Sequence, residues 1–215
     1  MESSPQTNCD TLKTEQGIRF TYDWREGAPP IADDVVRWRN LLHKLNLVGA
    51  YPDGTGYGNL SVRRGDGFAI TAAKTGLIDE LDGSHISLVT HCDVDNHFVV
   101  CQGPAMASSE SVSHAIIYQC EPSVGAVVHI HSDLLWRYML HTGVRTEVFA
   151  GAGTQEMTSE IRRLFEQKEL SESGIFVMAG HLEGIMVFAK SMDDAGELLL
   201  KTCKEKGVTD DLRRM

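Results

Sequence analysis

Residues 125–131 read Gly-Ala-Val-Val-His-Ile-His. Ala126, Val127 and Val128 are consecutively apolar, which predicts a strand buried on both faces. Residues two apart on a strand point to the same side. His129 and His131 therefore converge at the end of an apolar run. Either a bound metal ion or a strand end that reaches solvent accounts for two polar rings side by side there. His181 follows Phe176-Val177-Met178-Ala179, at the end of another predicted strand, and could supply a third nitrogen. Three histidines around an open position describe a catalytic zinc site and suit other divalent metals as well.

Outward from this strand, helices and hairpins alternate. Asp33 reads as the N-cap of a helix running to about Val48, with Val35, Trp38, Leu41, Leu42 and Leu45 on one face and Gly49 as its stop. Leu60–Arg63 and Phe68–Thr71 flank Arg-Gly-Asp-Gly, a hairpin signal. Ile86–Val89 and His97–Cys101 predict a second pair, joined by the Asp93–Asn96 turn. Ser109 reads as the cap of a helix to about Cys120. Further helices are predicted over about Asp133–His141, Thr154–Leu170 and Ser191–Lys204, and strands over Ile175–Met178 and Ile185–Ala189. Hairpins rather than regular βαβ repeats make the expected class α/β, a layered domain with a mostly antiparallel or mixed sheet. Residues 1–30 are polar and end on Pro29-Pro30. They are expected to be a loose extension with one short strand around Ile18–Tyr22, leaving residues 31–215 as a single domain.

Composition narrows the function classes. The 215 residues carry 20 Lys+Arg against 30 Asp+Glu, a net charge of −10, which argues against nucleic acid as a partner. No apolar run approaches the ~20 residues of a membrane span. The first residues, MESSPQTNCDTLKTEQG, hold no apolar stretch to serve as a signal peptide, so a cytoplasmic protein is expected. Cys9, Cys92, Cys101, Cys120 and Cys203 are odd in number and widely spaced, which fits reduced thiols better than a disulfide scaffold.

Three further segments bear on chemistry. Ala107-Ser108-Ser109-Glu110 precedes a predicted helix, where free backbone N–H groups attract anions. Gly58-Asn59-Leu60-Ser61 and Lys74-Thr75-Gly76 each join glycine freedom to a short polar donor. Taken singly, the first is an ordinary helix cap with a first-turn acid and the others are turns.

Taken in order, the segments GNLS, ITAAKTG, SSE and HIH, with the late His181, resemble the class II aldolase/adducin family. The Asp93-Val-Asp turn and the AVVHIH strand belong to the same match, which spans about residues 33–205. The resemblance implies one α/β/α layered domain with a central, largely antiparallel sheet, commonly assembled as a homotetramer. It implies His129, His131 and His181 as ligands of a divalent metal, zinc first, with Mn2+, Co2+, Fe2+ or Ni2+ as alternatives. It implies Glu110 at the metal as general acid/base, and Asn59, Thr75, Gly76, Ser108 and Ser109 around the substrate's phosphate or other anion. The expected activity is that of a metal-dependent aldehyde-lyase cleaving a small hydroxy-carbonyl or sugar-phosphate compound. A decarboxylase, dehydratase or epimerase of the same family would use the same groups, and a non-catalytic adducin-like module would have no evident need of them.

Two departures from the family pattern stand out. Two residues, Leu182 and Glu183, separate His181 from the Gly184-Ile185 strand start, where the family often has His-Gly. Ala73-Lys74 precedes Thr75-Gly76, and Lys74 is expected to be a solvated surface charge. Of the remaining histidines, His43 and His114 are expected to be helix-surface or packing residues. His85, His91 and His97 are expected to border loops, and His141 to end a helix.

Overall fold

A computed structural model of the protein describes residues 8–13, 19–167 and 169–208. In chain order the elements are β1 (Asn8–Lys13), β2 (Arg19–Glu26), α1 (Asp33–Lys44), β3 (Gly49–Ala50), β4 (Gly56–Tyr57), β5 (Asn59–Arg64) and β6 (Gly67–Thr71). They continue with β7 (Ile86–Asp93), β8 (Phe98–Gly103), α2 (Ser111–Cys120), β9 (Ala126–His131), α3 (Asp133–Thr142), α4 (Gln155–Glu166), α5 (Glu169–Ser173), β10 (Ile175–Val177), β11 (Gly184–Ala189) and α6 (Met192–Glu205).

The predicted apolar run is β9, buried along its whole length between β5 and β11. The sheet runs β1-β2-β8-β7-β6-β5-β9-β11-β10, and β3 and β4 form a separate ribbon. Within it only the β2–β8 pair is parallel. Strand alternation divides the apolar side chains between two cores. Ala126, Val128 and Ile130 face Val35, Trp38 and Leu42 of α1, Leu135 of α3 and Leu199 of α6. Val127, Met186 and Phe188 face Val112 and Ile116 of α2 and Met157, Ile161 and Leu164 of α4. Helices on both faces make the three-layer α/β/α arrangement, and each fully buried Leu, Ile or Val contributes roughly 1.5–3 kcal/mol. His129 and His131 share the face of Val127, so they open onto the side of the sheet that α2 covers.

Several boundaries differ from the sequence reading. α1 stops at Lys44 rather than near Val48, because Asn46 takes a left-handed φ of 54°. Leu47 and Val48 then turn back into the core, and Gly49 plays no part in stopping the helix. The helix predicted over Thr154–Leu170 is two helices, α4 and α5. The expectation of a loose segment over residues 1–30 is corrected for its described residues, since β2 adds to the sheet edge beside β8 and β1 pairs with β2. Tyr22 and Trp24 alternate with charged residues on β2 and pack on the α2 side, a pattern that the polar composition of the segment conceals. Ile18, part of the expected short strand, lies outside the described residues. Cys92, Cys101, Cys120 and Cys203 are free thiols. No helix among the described residues is long and apolar enough to cross a membrane.

One glycine sets the approach to β5. Gly58 has φ +75°, and a Cβ there would lie 2.6 Å from Val48 Cγ1 and 3.0 Å from the His129 carbonyl oxygen. Gly58→Ala is therefore expected to destabilise the protein by about 2–3 kcal/mol through backbone strain and overpacking. Urea unfolding measures this, and a loss below about 0.5 kcal/mol, the range of an ordinary surface substitution, would contradict it.

Candidate metal centre

Strand register brings the three histidines together. On β9, His129 lies opposite Asn59 of β5 and Met186 of β11, and His131 lies opposite Gly184. The missing side chain at Gly184 makes room for His181, whose Cδ2 would stand 2.4 Å from a Cβ at that position. The two residues between His181 and Gly184 are taken up in a tight turn. Gly184 N–H donates to the His181 carbonyl, and Glu183 adopts a left-handed φ of 65°. The departure from His-Gly thus leaves the third imidazole in place.

The Nε2 atoms of His131 and His129 are 3.2 Å apart, and those of His131 and His181 are 3.0 Å apart. The other ring nitrogens decide what these short distances mean. His129 Nδ1 donates to the Ile185 carbonyl oxygen at 3.1 Å, so in the neutral ring that a metal ligand must be, the lone pair is on Nε2. Tyr51 Oη donates its one proton to Glu183 Oε2 at 2.6 Å. It must then accept from His131 Nδ1, 2.7 Å away, which leaves a lone pair on His131 Nε2 as well. Two lone pairs facing each other at hydrogen-bond distance repel, and a cation between them removes the repulsion. Burial, first among the causes, pushes the His131 pKa far down and that of His181 down to about 4, so both rings stay neutral as metal ligands require. Two nitrogens bound to a tetrahedral ion at ~2.1 Å would stand ~3.4 Å apart, close to the spacing found here. These residues fit a divalent metal.

Glu110 completes the cluster. Its Oε2 lies 3.1 Å from His129 Nε2, and its Oε1 lies 3.7 Å from His181 Nε2. Oε1 is buried without a hydrogen-bond partner, on the His181 side of the cluster. Burial alone would raise the Glu110 pKa, but its surroundings, the Asn59 amide among them, outweigh it and hold the carboxyl below its ordinary range. Asn59 Nδ2 donates to Glu110 Oε2 at 2.6 Å.

Helix α2 begins at Ser111, one residue later than the sequence suggests, with Glu110 rather than Ser109 at the N-cap position. The Glu110 side chain makes no capping bond and is left to face the histidines. Ser108 Oγ accepts from the Glu110 N–H at 3.3 Å, and Ser109 is exposed beside it. Thr75 and Gly76 sit on a neighbouring loop. That loop leaves the sheet where Ala72 bridges Ala107 and the Ala73 N–H donates to the Met106 carbonyl. From α1, Arg39 Nη2 donates to the Thr75 carbonyl at 2.7 Å, and His43 Nε2 lies 3.3 Å from the Gly76 carbonyl. Asn59, Glu110 and the histidines are thus in direct contact, while Thr75, Gly76, Ser108 and Ser109 stand on adjoining loops. Lys74 is exposed, as expected.

Tyr51 and Glu183 escape the sequence reading. Their link to His131 depends on a tyrosine and a glutamate 132 positions apart. The one available signal is the unusual Leu182-Glu183 insertion itself. Of the two readings offered for His114, helix surface or packing, the structure shows the second. It lies wholly buried against Asn59 and Ser61 rather than on the helix surface.

The family model described as Class II Aldolase and Adducin N-terminal domain matches residues 34–202. No curated protein matches the chain by sequence. Among solved structures, an L-fuculose 1-phosphate aldolase is similar at 21% identity and a TM-score of 0.61, over 85% of this chain and 89% of that one. The L-fuculose-1-phosphate aldolase of Thermus thermophilus is similar at 17% identity and a TM-score of 0.60, over 84% and 93%. YgbL of Escherichia coli, whose description leaves its reaction open among aldolase, epimerase and decarboxylase, is similar at 17% identity and a TM-score of 0.62, over 82% and 86%. At these identities the likeness speaks for the fold alone.

Proposed function

The chain belongs to the class II aldolase and adducin family, and from that premise we propose that it is a metal-dependent lyase cleaving a carbon–carbon bond in a small, anionic hydroxy-carbonyl compound, of which a sugar phosphate is the type. The observation that carries this reading is the opposed lone pairs of His129 and His131, met by the unpartnered Oε1 of Glu110. A module that only binds other proteins has no use for such an arrangement, which weighs against the adducin-like alternative.

His129, His131 and His181 would hold the ion, with zinc as the first choice. A divalent cation in that position supplies Lewis-acid stabilisation of a developing enolate oxygen. The chain's own groups do the rest. Glu110, ionised and partly buried beside the histidines, takes a proton from the substrate hydroxyl and returns it to carbon as the bond breaks or forms. The exposed Ser109, with Thr75, Gly76, Ser108 and Asn59 around it, binds the distant anion and so orients the reacting carbons. Decarboxylation, dehydration and epimerisation would draw on the same proton transfer and are the second reading, favoured by the open reaction assignment of YgbL.

Metal analysis of the purified protein tests this, followed by a screen of aldol-cleavage and decarboxylation substrates with the metal restored. Stoichiometric metal with aldehyde release supports the proposal, and CO2 release without it would favour the second reading. The absence of any metal uptake would sink both. The reading also carries a cytoplasmic homotetramer acting in carbohydrate metabolism, for which mass measurement in solution is the first check. For the anion site, Ser109→Ala is expected to raise KM more than it lowers kcat, as for a contact made equally in ground and transition states. A fall in kcat alone would instead put Ser109 at the reacting atoms.

A further inference from the structure

A row of buried polar side chains runs from Glu110 into the core, on the face of the sheet that α2 covers. Glu110, His114 and Tyr118 recur every four residues, a helical repeat of ~6 Å. Asn59, Ser61 and Arg63 recur every two residues on β5, a strand repeat of ~6.6 Å. The two repeats are nearly equal, so the rows interdigitate. Asn59 Nδ2 meets Glu110 Oε2 at 2.6 Å, and His114 Nε2 meets Asn59 Oδ1 at 2.6 Å. Ser61 Oγ meets His114 Nδ1 at 2.6 Å, and Tyr118 Oη meets Ser61 Oγ at 2.9 Å. Arg63 closes the row by donating to the Tyr118 carbonyl at 3.1 Å, with its guanidinium 4.7 Å from the Tyr118 ring centroid.

The chemistry allows one direction along this row. A carboxylate only accepts, so Asn59 must present its NH2 to Glu110 and its carbonyl oxygen to His114. His114 then donates from Nε2 and accepts at Nδ1. Ser61 donates its proton to Nδ1 and accepts from the Tyr118 hydroxyl. His114 is wholly buried, and burial pushes its pKa down to about 3, so the ring is the neutral tautomer that this order requires. Turned over, the Asn59 amide would set its oxygen against the carboxylate. A primary amide is a poor proton conductor, so the row serves to orient Glu110 rather than to deliver protons to it.

We infer that His114 is a positioning residue: acting through Asn59, it fixes which edge of the amide meets Glu110, and so holds the carboxylate in one orientation at the histidine cluster. This rests on the reading of that cluster as a metal site. The test is Co2+ uptake by metal-free protein, titrated against a chelating indicator, for the wild type, His114→Leu and His114→Gln, each with Glu110 intact and with Glu110→Gln. Gln at 114 keeps an N–H for Asn59, and Leu removes it.

With Glu110 intact, His114→Leu is expected to weaken Co2+ about 10-fold, the range for outer groups that orient metal-site residues. His114→Gln should stay within about threefold of the wild type, the low side of that range. With Glu110→Gln, the Leu substitution should have no further effect, since no carboxylate remains to be oriented. An undiminished affinity in His114→Leu overturns the inference, and so does an equal loss in both backgrounds, which would mark His114 as a packing residue. Where the Leu variant does not fold, Ser61→Ala carries the same test by freeing the His114 tautomer. It should give a smaller loss that again disappears with Glu110→Gln, and a loss that persists there overturns the inference. If the wild type takes up no Co2+, the metal reading itself falls, a result distinct from any of these.

Discussion

Replacing His129 or His131 by Ala is expected to lower divalent-metal affinity by more than ~100-fold, beyond the roughly 10–100-fold that follows loss of an outer group alone. Each ring offers the cluster one lone pair, fixed in direction by its other nitrogen, His129 through the Ile185 carbonyl and His131 through Tyr51. The fold should survive. β9 is held by backbone pairing to β5 and β11 along its length, and no part of that pairing uses an imidazole. The cavity and the lost hydrogen bond to the Ile185 carbonyl should cost about 2–3 kcal/mol. In metal-free protein that cost is offset in part, because the substitution also removes the lone-pair opposition between the two rings.

The two states separate in thermal unfolding. Metal at a thousand times its dissociation constant adds about 4 kcal/mol to the stability of a protein that binds it only when folded. Addition of the ion should therefore raise the wild-type Tm by several degrees and leave the two variants unmoved. Mass spectrometry of the metal content gives the stoichiometry directly. If both single variants keep one ion per chain, the assignment of His129 and His131 is wrong. His181→Ala examines the remaining ligand, and full retention of metal there would leave Glu110 as the next candidate for the third position.

Much of this site is legible in the sequence. The His129/His131 pair follows from the two-residue period of a strand, and the apolar run before it identifies that strand without ambiguity. Asn59 and Glu110, and with them the proposed anion contacts Thr75, Gly76, Ser108 and Ser109, are legible only as an ordered set, since each segment alone is an ordinary turn or cap. What stays hidden depends on long-range register. Tyr51 and Glu183 meet at His131 because the β3–β4 ribbon and the turn before β11 arrive at the same place, and no local pattern encodes that. His114 is concealed for a different reason. On a helix buried all round, a lone histidine looks like packing, and its role emerges only when the Glu110-His114-Tyr118 repeat is laid against Asn59-Ser61-Arg63. β2 shows the same limit, because its buried Tyr22 and half-buried Trp24 are outweighed by the charged residues beside them.

Glu110→Gln is expected to leave metal bound and to cut turnover by ~100-fold or more, the contribution usual for a positioned general acid/base. The residue stands at the N-cap of α2 yet spends no oxygen on the helix, so its carboxylate is free for chemistry. One oxygen is held by Asn59, and the other is left without a hydrogen bond beside His181. Gln would keep the Asn59 bond by turning its own oxygen to that amide. It must then present NH2 to the histidine cluster, where wild type presents an oxygen, so it loses the proton acceptor while preserving the shape. Binding of the ion by three imidazoles should persist, weakened about 10-fold or more by the loss of the negative charge, at least as much as in His114→Leu. The decisive measurement is single-turnover kinetics of the Gln variant on the substrate that the screen identifies, with metal content determined on the same sample. A variant that holds stoichiometric metal and turns over near the wild-type rate would reduce Glu110 to a structural neighbour of the cluster. The proton would then have to move through another group, a metal-bound water or a different side chain, since Tyr51, the hydroxyl in contact with His131, meets the ring at Nδ1 and already gives its proton to the hydrogen bond with Glu183.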